Sequence, residues 1–241
     1  MPNNDVRLIS MIGCLVIHGF TGSPYEVEPL AKYLKEKTNW LVEVPTLPGH
    51  GPELNLMDVT YKEWISGAEE ALTRLREKVE EIYIIGFSMG GMIAGYLASK
   101  YNVDKLVLLA ASRKYLSFKQ IAIDIGMVVG DRVKGTLHEN KMYLHYKNKL
   151  GTIPMRANIE FMRLVKYTKP YLKKVESPVL IAQGHQDGMV PYKTIYHLDK
   201  EINSERKKVV LFDQSKHQLC LGEDKDRINN MVLEFLTNRS E

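Results

Sequence analysis

The run Gly86-Phe87-Ser88-Met89-Gly90 sets a serine among glycines, directly after the apolar residues Ile82, Tyr83, Ile84 and Ile85. A serine hydroxyl is a weak nucleophile until a base takes its proton and donors hold the charge that develops. A G-x-S-x-G turn between strand and helix supplies the steric part of that chemistry. It lifts the hydroxyl above the strand ends, its glycines let neighbouring chain approach, and the helix brings its positive end beside the forming charge. The reaction suited to such a serine is acyl transfer through a covalent intermediate.

The base expected for it is His217, in Lys216-His217-Gln218, after the last predicted strand and before the last helix. Among the seven histidines, His138 and His145 fall in a segment that interrupts the strand–helix rhythm, and His197 falls in a predicted helix. His18 is read as ordering its own loop. His185 is the alternative base, poorly directed because it shares one tight turn with Asp187. The orienting acid is assigned to Asp187, in Gly184-His185-Gln186-Asp187-Gly188, where a carboxylate can accept the imidazole N–H and fix its tautomer. Asp213 competes for that role, but lies four residues before His217 and equally suits shaping that loop.

Acyl transfer also needs backbone N–H groups aimed at the oxyanion. Met89, just after the serine, is expected to give one, and Phe20 in His18-Gly19-Phe20-Thr21-Gly22 the other. Substrate contacts are assigned to the side chains of Phe20, Met89, Ile125 and Met189. Ile121, Ile125, Met127 and Val128 suit an acyl pocket and the core of their own segment equally well.

The elements that must carry these groups alternate. Strands are expected over Ile12–Ile17, Trp40–Val44, Glu81–Gly86, Asp104–Ala110, Pro178–Ala182 and Lys207–Phe212. Helices are expected over Ser23–Lys37 (with Ser23 as N-cap and Pro24 in the first turn), Tyr61–Val79, Gly91–Tyr101, Pro191–Glu201 and Lys225–Leu236. Continuous apolar strands alternating with helices point to an α/β fold with a mostly parallel sheet covered on both faces. Residues 112–175 break the pattern, with helical patches at Phe118–Val129, Val133–Tyr146 and Asn158–Val165, and are read as a helical cap inserted into a core of residues 1–111 and 176–241.

At 241 residues the chain can bury a full core without staples. Its 44% hydrophobic and 26% charged composition is that of an ordinary globular protein. The net charge of +4 is small, and the lysines of 141–149 and 166–174 alternate with Tyr, Leu and Val, as on solvated helix faces rather than a nucleic-acid footprint. Cys14 and Cys220 are too few and too isolated for a disulfide framework, which suits a cytoplasmic protein. Leu8–Ile17 lacks a small-x-small site after it and carries Asp5 in its flank, so it is read as a strand rather than a signal segment. No stretch has the length of a membrane span. HExxH, GxGxxG and GxxxxGK[ST] are absent, so no metal or other cofactor is expected.

Taken together, His18-Gly19-Phe20-Thr21-Gly22-Ser23-Pro24, Pro48-Gly49-His50-Gly51, Gly86-Phe87-Ser88-Met89-Gly90-Gly91 and the Asp187 and His217 loops resemble the bacterial carboxylesterase and monoacylglycerol lipase group of α/β-hydrolases. The chain order Ser, Asp, His is the one that fold uses. The resemblance implies a triad of Ser88, Asp187 and His217, an oxyanion hole from Phe20 and Met89, a small cap over about residues 112–175, and a carboxylic ester as substrate. Two features depart from the group. Only about ten residues precede the first core strand, which implies a small sheet, and the last loop reads Ser215-Lys216-His217 where the group often has Ser-Gly-His.

The expected activity is hydrolysis of short- to medium-chain esters or monoacylglycerols by a monomer or weak homodimer. Partners other than the small ester are not expected, neither nucleic acid nor a stably inserted membrane. A thioesterase or carbon–carbon hydrolase with the same triad, a binding protein that kept the fold, and interfacial attachment through Ile121–Val129 are the alternatives.

Overall fold

The structure is a computed structural model that describes residues 11–113 and 153–238. Six strands are described: β1 (Ile12–Ile17), β2 (Leu41–Glu43), β3 (Glu81–Phe87), β4 (Lys105–Leu109), β5 (Val179–Gly184) and β6 (Lys207–Phe212). They form one sheet of order β2-β1-β3-β4-β5-β6, with every pairing parallel. The described helices are α1 (Glu28–Lys37), α2 (Tyr61–Arg76), α3 (Met89–Lys100), α4 (Met155–Thr168), α5 (Thr194–Glu201) and α6 (Lys225–Thr237).

Side chains alternate across a strand, so a parallel sheet with helices on both sides needs apolar residues at nearly every position. The chain meets that demand. Leu15, Ile17, Ile82, Ile84, Leu106, Leu108, Val179 and Ile181 pack on one face with α2, α3, α4 and α5. Their alternates Cys14, Val16, Tyr83, Ile85, Val107, Leu109, Leu180 and Ala182 pack on the other with α1 and α6. Both cysteines are free and buried, and Cys14 is one of these core residues.

Among the described residues the expected elements are present with shifted ends. The Ser23–Lys37 helix is a 3-10 turn at Pro24–Glu26 followed by α1, with Val27 (φ −116°, ψ −3°) between them, and Ser23 makes no side-chain cap bond. Trp40–Val44 contracts to the three residues of β2, an edge strand paired on one side. α3 begins at Met89 rather than Gly91, and α5 at Thr194 rather than Pro191. α2 stops at Arg76; its start is fixed by Glu63, whose carboxylate accepts the Thr60 N–H at 2.9 Å and the Thr60 hydroxyl at 2.7 Å. The expected Asn158–Val165 helix is the longer α4, while Phe118–Val129 and Val133–Tyr146 lie outside the described residues.

Sheet order locates the site. β1 is followed by a neighbour on one side and β3 by a neighbour on the other, so the loops leaving their C-terminal ends diverge and open a crevice. Ile17 pairs with Gly86, which sets His18-Gly19 beside Phe87-Ser88 at that switch point. No described helix is long and apolar enough to cross a membrane.

Candidate active site

Ser88 stands at φ 54°, ψ −115°, an uncommon backbone conformation for a residue with a side chain. Holding it there costs about 1–3 kcal/mol, which the surrounding contacts must offset. Its N–H donates to Leu109 O at 2.9 Å, and its C=O accepts from Gly91 N–H and Ser112 N–H, both at 3.1 Å. The turn closes so tightly that a Cβ on Gly86 would lie 2.3 Å from Gly90 O, and one on Gly90 would lie 2.3 Å from Ile17 O. Glycine is therefore required at both positions by close backbone approach.

His217 Nε2 lies 3.0 Å from Ser88 Oγ, and His217 Nδ1 lies 2.7 Å from Asp187 Oδ2. Asp187 also accepts Gln183 Nε2 at 2.7 Å on Oδ2, and the Met189 and Val190 N–H groups at 2.8 Å on Oδ1. A carboxylate so supplied with donors stays an acceptor, and the ring must place its Nδ1 proton toward it. Nε2 is thus left to accept the Ser88 proton. Asp213 is elsewhere: its side chain is 82% exposed, and it lies 3.8 Å from His185 Nδ1. His185 is itself exposed and packs its ring against Tyr192.

His18 and His50 shape the loop after β1. His18 Nδ1 donates to Gly19 O at 2.9 Å and its Nε2 accepts the Leu47 N–H at 3.1 Å. His50 does likewise with Pro48 O at 3.0 Å and the Thr21 N–H at 3.2 Å. Burial first, and then neighbouring His50, push the His18 pKa down to about 4 from 6.5. A proton on Nε2 would set a donor against the Leu47 donor. The unfolded chain takes up that proton between pH 6.5 and 4 and the folded chain refuses it, so folding stability falls as pH drops through this window, by about 3 kcal/mol in total. Glu63 and Glu69, whose folded pKa values are lowered, act only further down, losing their contribution below about pH 4.5. Urea titrations at pH 7 and pH 4.5 should show a clear loss of midpoint, and His18→Asn should flatten it. An equal loss in the variant would assign the effect to other groups.

Phe20 leaves this loop half-buried, stacked on Phe161 of α4 at 4.8 Å between ring centroids and edge-on to Trp64. Among the described residues no protein group accepts the N–H of Phe20, nor that of Met89 at the first position of α3. These two donors lie on either side of Ser88 in the fold, Phe20 in the loop after β1 and Met89 in the first turn of α3.

A family model, Hydrolase_4 (Serine aminopeptidase, S33), matches residues 13–225. The chain belongs to this family. A thermostable monoacylglycerol lipase of Bacillus sp. strain H-257 is 28% identical over 239 residues, covering 95% of this chain and 92% of that one. A carboxylesterase of Bacillus subtilis strain 168 is 22% identical over 224 residues, covering 92% and 91%. Among solved structures, one from work on LipS and LipT, two metagenome-derived lipolytic enzymes, aligns at TM-score 0.78 with 22% identity over 94% of both chains. The monoacylglycerol lipase of Paleococcus ferrophilus aligns at 0.70 with 16% identity over 93% of both. The fold is the α/β-hydrolase fold.

As a Hydrolase_4 chain it carries Lys216 where the resemblance has glycine. The substitution fits, because Lys216 is exposed and is not among the residues with positive φ. The side chain of Met89 is wholly buried and belongs to the core cluster that also holds residues of α2, while its backbone opens α3. Met189 is half-buried and contributes its N–H to Asp187, while Ile125 lies outside the described residues.

Three side chains at the site go unnoticed in the sequence. Gln183, on β5 itself, braces Asp187. Glu26 accepts the Gly19 N–H at 3.0 Å and Gln218 Nε2 at 2.9 Å, tying the loop after β1 to the loop that carries His217. Ser112, after β4, brings its hydroxyl to 3.0 Å from Ser88 Oγ. Only Gln183 leaves a trace, as a polar residue inside an otherwise apolar strand.

Proposed function

We propose that the chain is a serine carboxylesterase that hydrolyses short- to medium-chain acyl esters or monoacylglycerols through an acyl-enzyme on Ser88. The observation that carries this reading is the hydrogen-bonded line Asp187–His217–Ser88 at the sheet's switch point. In acylation His217 Nε2 takes the Ser88 proton as Oγ bonds to the ester carbonyl carbon. The carbonyl oxygen gathers negative charge in front of the Phe20 and Met89 N–H groups, and Asp187 holds the imidazolium. As the carbonyl re-forms, the bond to the alcohol oxygen breaks and that oxygen takes the proton from His217. Water then repeats the sequence on the acyl group, returning the proton to Ser88.

The choice of an ester over other acyl groups is supported by the relatives that a full-length alignment finds, named monoacylglycerol lipase and carboxylesterase. Residues 112–175 serve in this reading as a cap, with Ile125, Met189 and Phe20 facing the acyl group. The stack of Phe20 on Phe161 supports it by joining the oxyanion loop to the end of that segment. The protein is read as cytoplasmic and monomeric or weakly dimeric, with its free, buried cysteines in keeping with a reducing compartment.

The purified protein should hydrolyse p-nitrophenyl butyrate and monoacylglycerols faster than acyl thioesters of equal chain length. A fluorophosphonate probe should label it at Ser88. A protein that is not labelled and turns over no member of this panel would be a binding module, and the proposal would be wrong.

A further inference from the structure

Among the described residues Ser88 Oγ has two hydrogen-bond partners, and one of them stands outside the triad. His217 Nε2 lies at 3.0 Å and Ser112 Oγ also at 3.0 Å. The polarity of both bonds follows from the far side of the imidazole. Asp187 accepts at Nδ1, so Nδ1 carries the ring proton and Nε2 must accept. The single Ser88 hydroxyl proton is therefore committed to His217. Toward Ser112 the Ser88 oxygen offers only a lone pair, and Ser112 must be the donor.

Ser112 cannot easily turn away. It is completely buried, and its own N–H is fixed on Ser88 O at 3.1 Å. The chain arrives through Ala110, held at φ 46°, and leaves through Arg113, whose N–H donates to Ala111 O at 2.8 Å. The Arg113 guanidinium, only 11% exposed, grips both carboxylate oxygens of Glu201 at the end of α5. A clamped, buried segment thus aims one hydroxyl at the nucleophilic oxygen.

We infer that Ser112 is a further catalytic residue, donating a hydrogen bond to Ser88 Oγ that strengthens as that oxygen gathers charge. The inference rests on the acyl-enzyme reading of Ser88. As Oγ gives its proton to His217 it gathers partial negative charge and becomes a stronger acceptor, until the new bond to the acyl carbon passes that charge on to the carbonyl oxygen. In deacylation the bond between Oγ and the acyl carbon breaks, the electron pair returns to Oγ, and Oγ recovers its proton from His217. Ser112 meets the same charge in the reverse direction and keeps its own proton throughout. One hydrogen bond therefore serves both halves of the turnover.

The test compares Ser112→Ala and Ser112→Cys with the unaltered protein by p-nitrophenyl butyrate kinetics and by the rate of fluorophosphonate labelling. Alanine should lower kcat and the labelling rate together by about tenfold, with KM within about twofold. Cysteine, of similar size but a weaker donor, should fall between. Unfolding midpoints identify a variant that has lost its fold, in which case the other variant carries the comparison. Labelling and turnover at the unaltered rate in a folded variant, or a loss confined to KM, overturns the role of Ser112 and leaves the Ser88 reading intact. No labelling and no turnover in the unaltered protein overturns the Ser88 reading itself.

Discussion

Ser88→Ala and His217→Ala are each expected to lower kcat on p-nitrophenyl butyrate by on the order of 10⁶-fold, and the double variant by no more than either alone. In the proposed mechanism the two side chains form one device, because the proton passes along the 3.0 Å bond between Ser88 Oγ and His217 Nε2. Without the base, the hydroxyl does not ionise in step with attack; without the hydroxyl, the base has nothing to activate except water. The remaining rate should come from the Phe20 and Met89 N–H groups and from substrate binding. Circular dichroism and unfolding midpoints should remain near those of the unaltered protein, since Ser88→Ala removes one atom and leaves the glycine contacts of the turn in place. Rates for the three variants that multiply would mean that the residues act independently.

Asp187→Asn is expected to reduce kcat by about 10⁴-fold while Asp213→Asn leaves it nearly unchanged. The asymmetry comes from hydrogen-bond polarity. Asp187 accepts hydrogen bonds from His217, Gln183, Met189 and Val190. An asparagine that keeps its oxygen for the Met189 and Val190 N–H groups must turn its NH2 toward Gln183 Nε2 and His217 Nδ1. The imidazole then presents a lone pair at Nδ1 and its proton at Nε2, facing Ser88 with the wrong tautomer. Asp213, 82% exposed, has solvent to satisfy it whichever side chain it carries. Steady-state kinetics on both variants decide the matter, and a large loss in the Asp213 variant would reverse the assignment.

Much of this arrangement was legible in the residues, and for a physical reason. A strand buried on both faces must be apolar nearly throughout, so Ile12–Ile17 and Glu81–Phe87 announce themselves within a residue or so. The serine turn is legible because its glycines answer to backbone contacts of 2.3 Å that no other residue survives. Element ends were harder, since they depend on contacts made at a distance. Val27 interrupts the first helical segment in a stretch, Pro24 to Lys37, that composition alone reads as continuous. The choice between Asp187 and Asp213 was open in one dimension, and in the fold it is the Asp187 carboxylate that lies against His217 while Asp213 points to solvent. Glu26 and Ser112 were invisible for a related reason. One sits among charged residues that look solvated, and the other opens a segment with no strand pattern. Their partners lie 192 and 24 residues away.

The link through Glu26 has a further consequence. Its carboxylate joins Gly19 to Gln218, and Tyr33 on α1 bonds to Asn230 on α6, so the beginning and the end of the described chain close on one another. Contacts of such sequence separation cost the most chain entropy and form late. On the ribosome, β1, β3 and the Ser88 turn are made long before His217 emerges. Until then Ser88 has no base beside it to take its proton, and in the proposed reading it stays unreactive. In the proposed reading the triad assembles only once the loop after β6 has reached the sheet, so activity reports on the docking of the two loops that lie furthest apart along the described site.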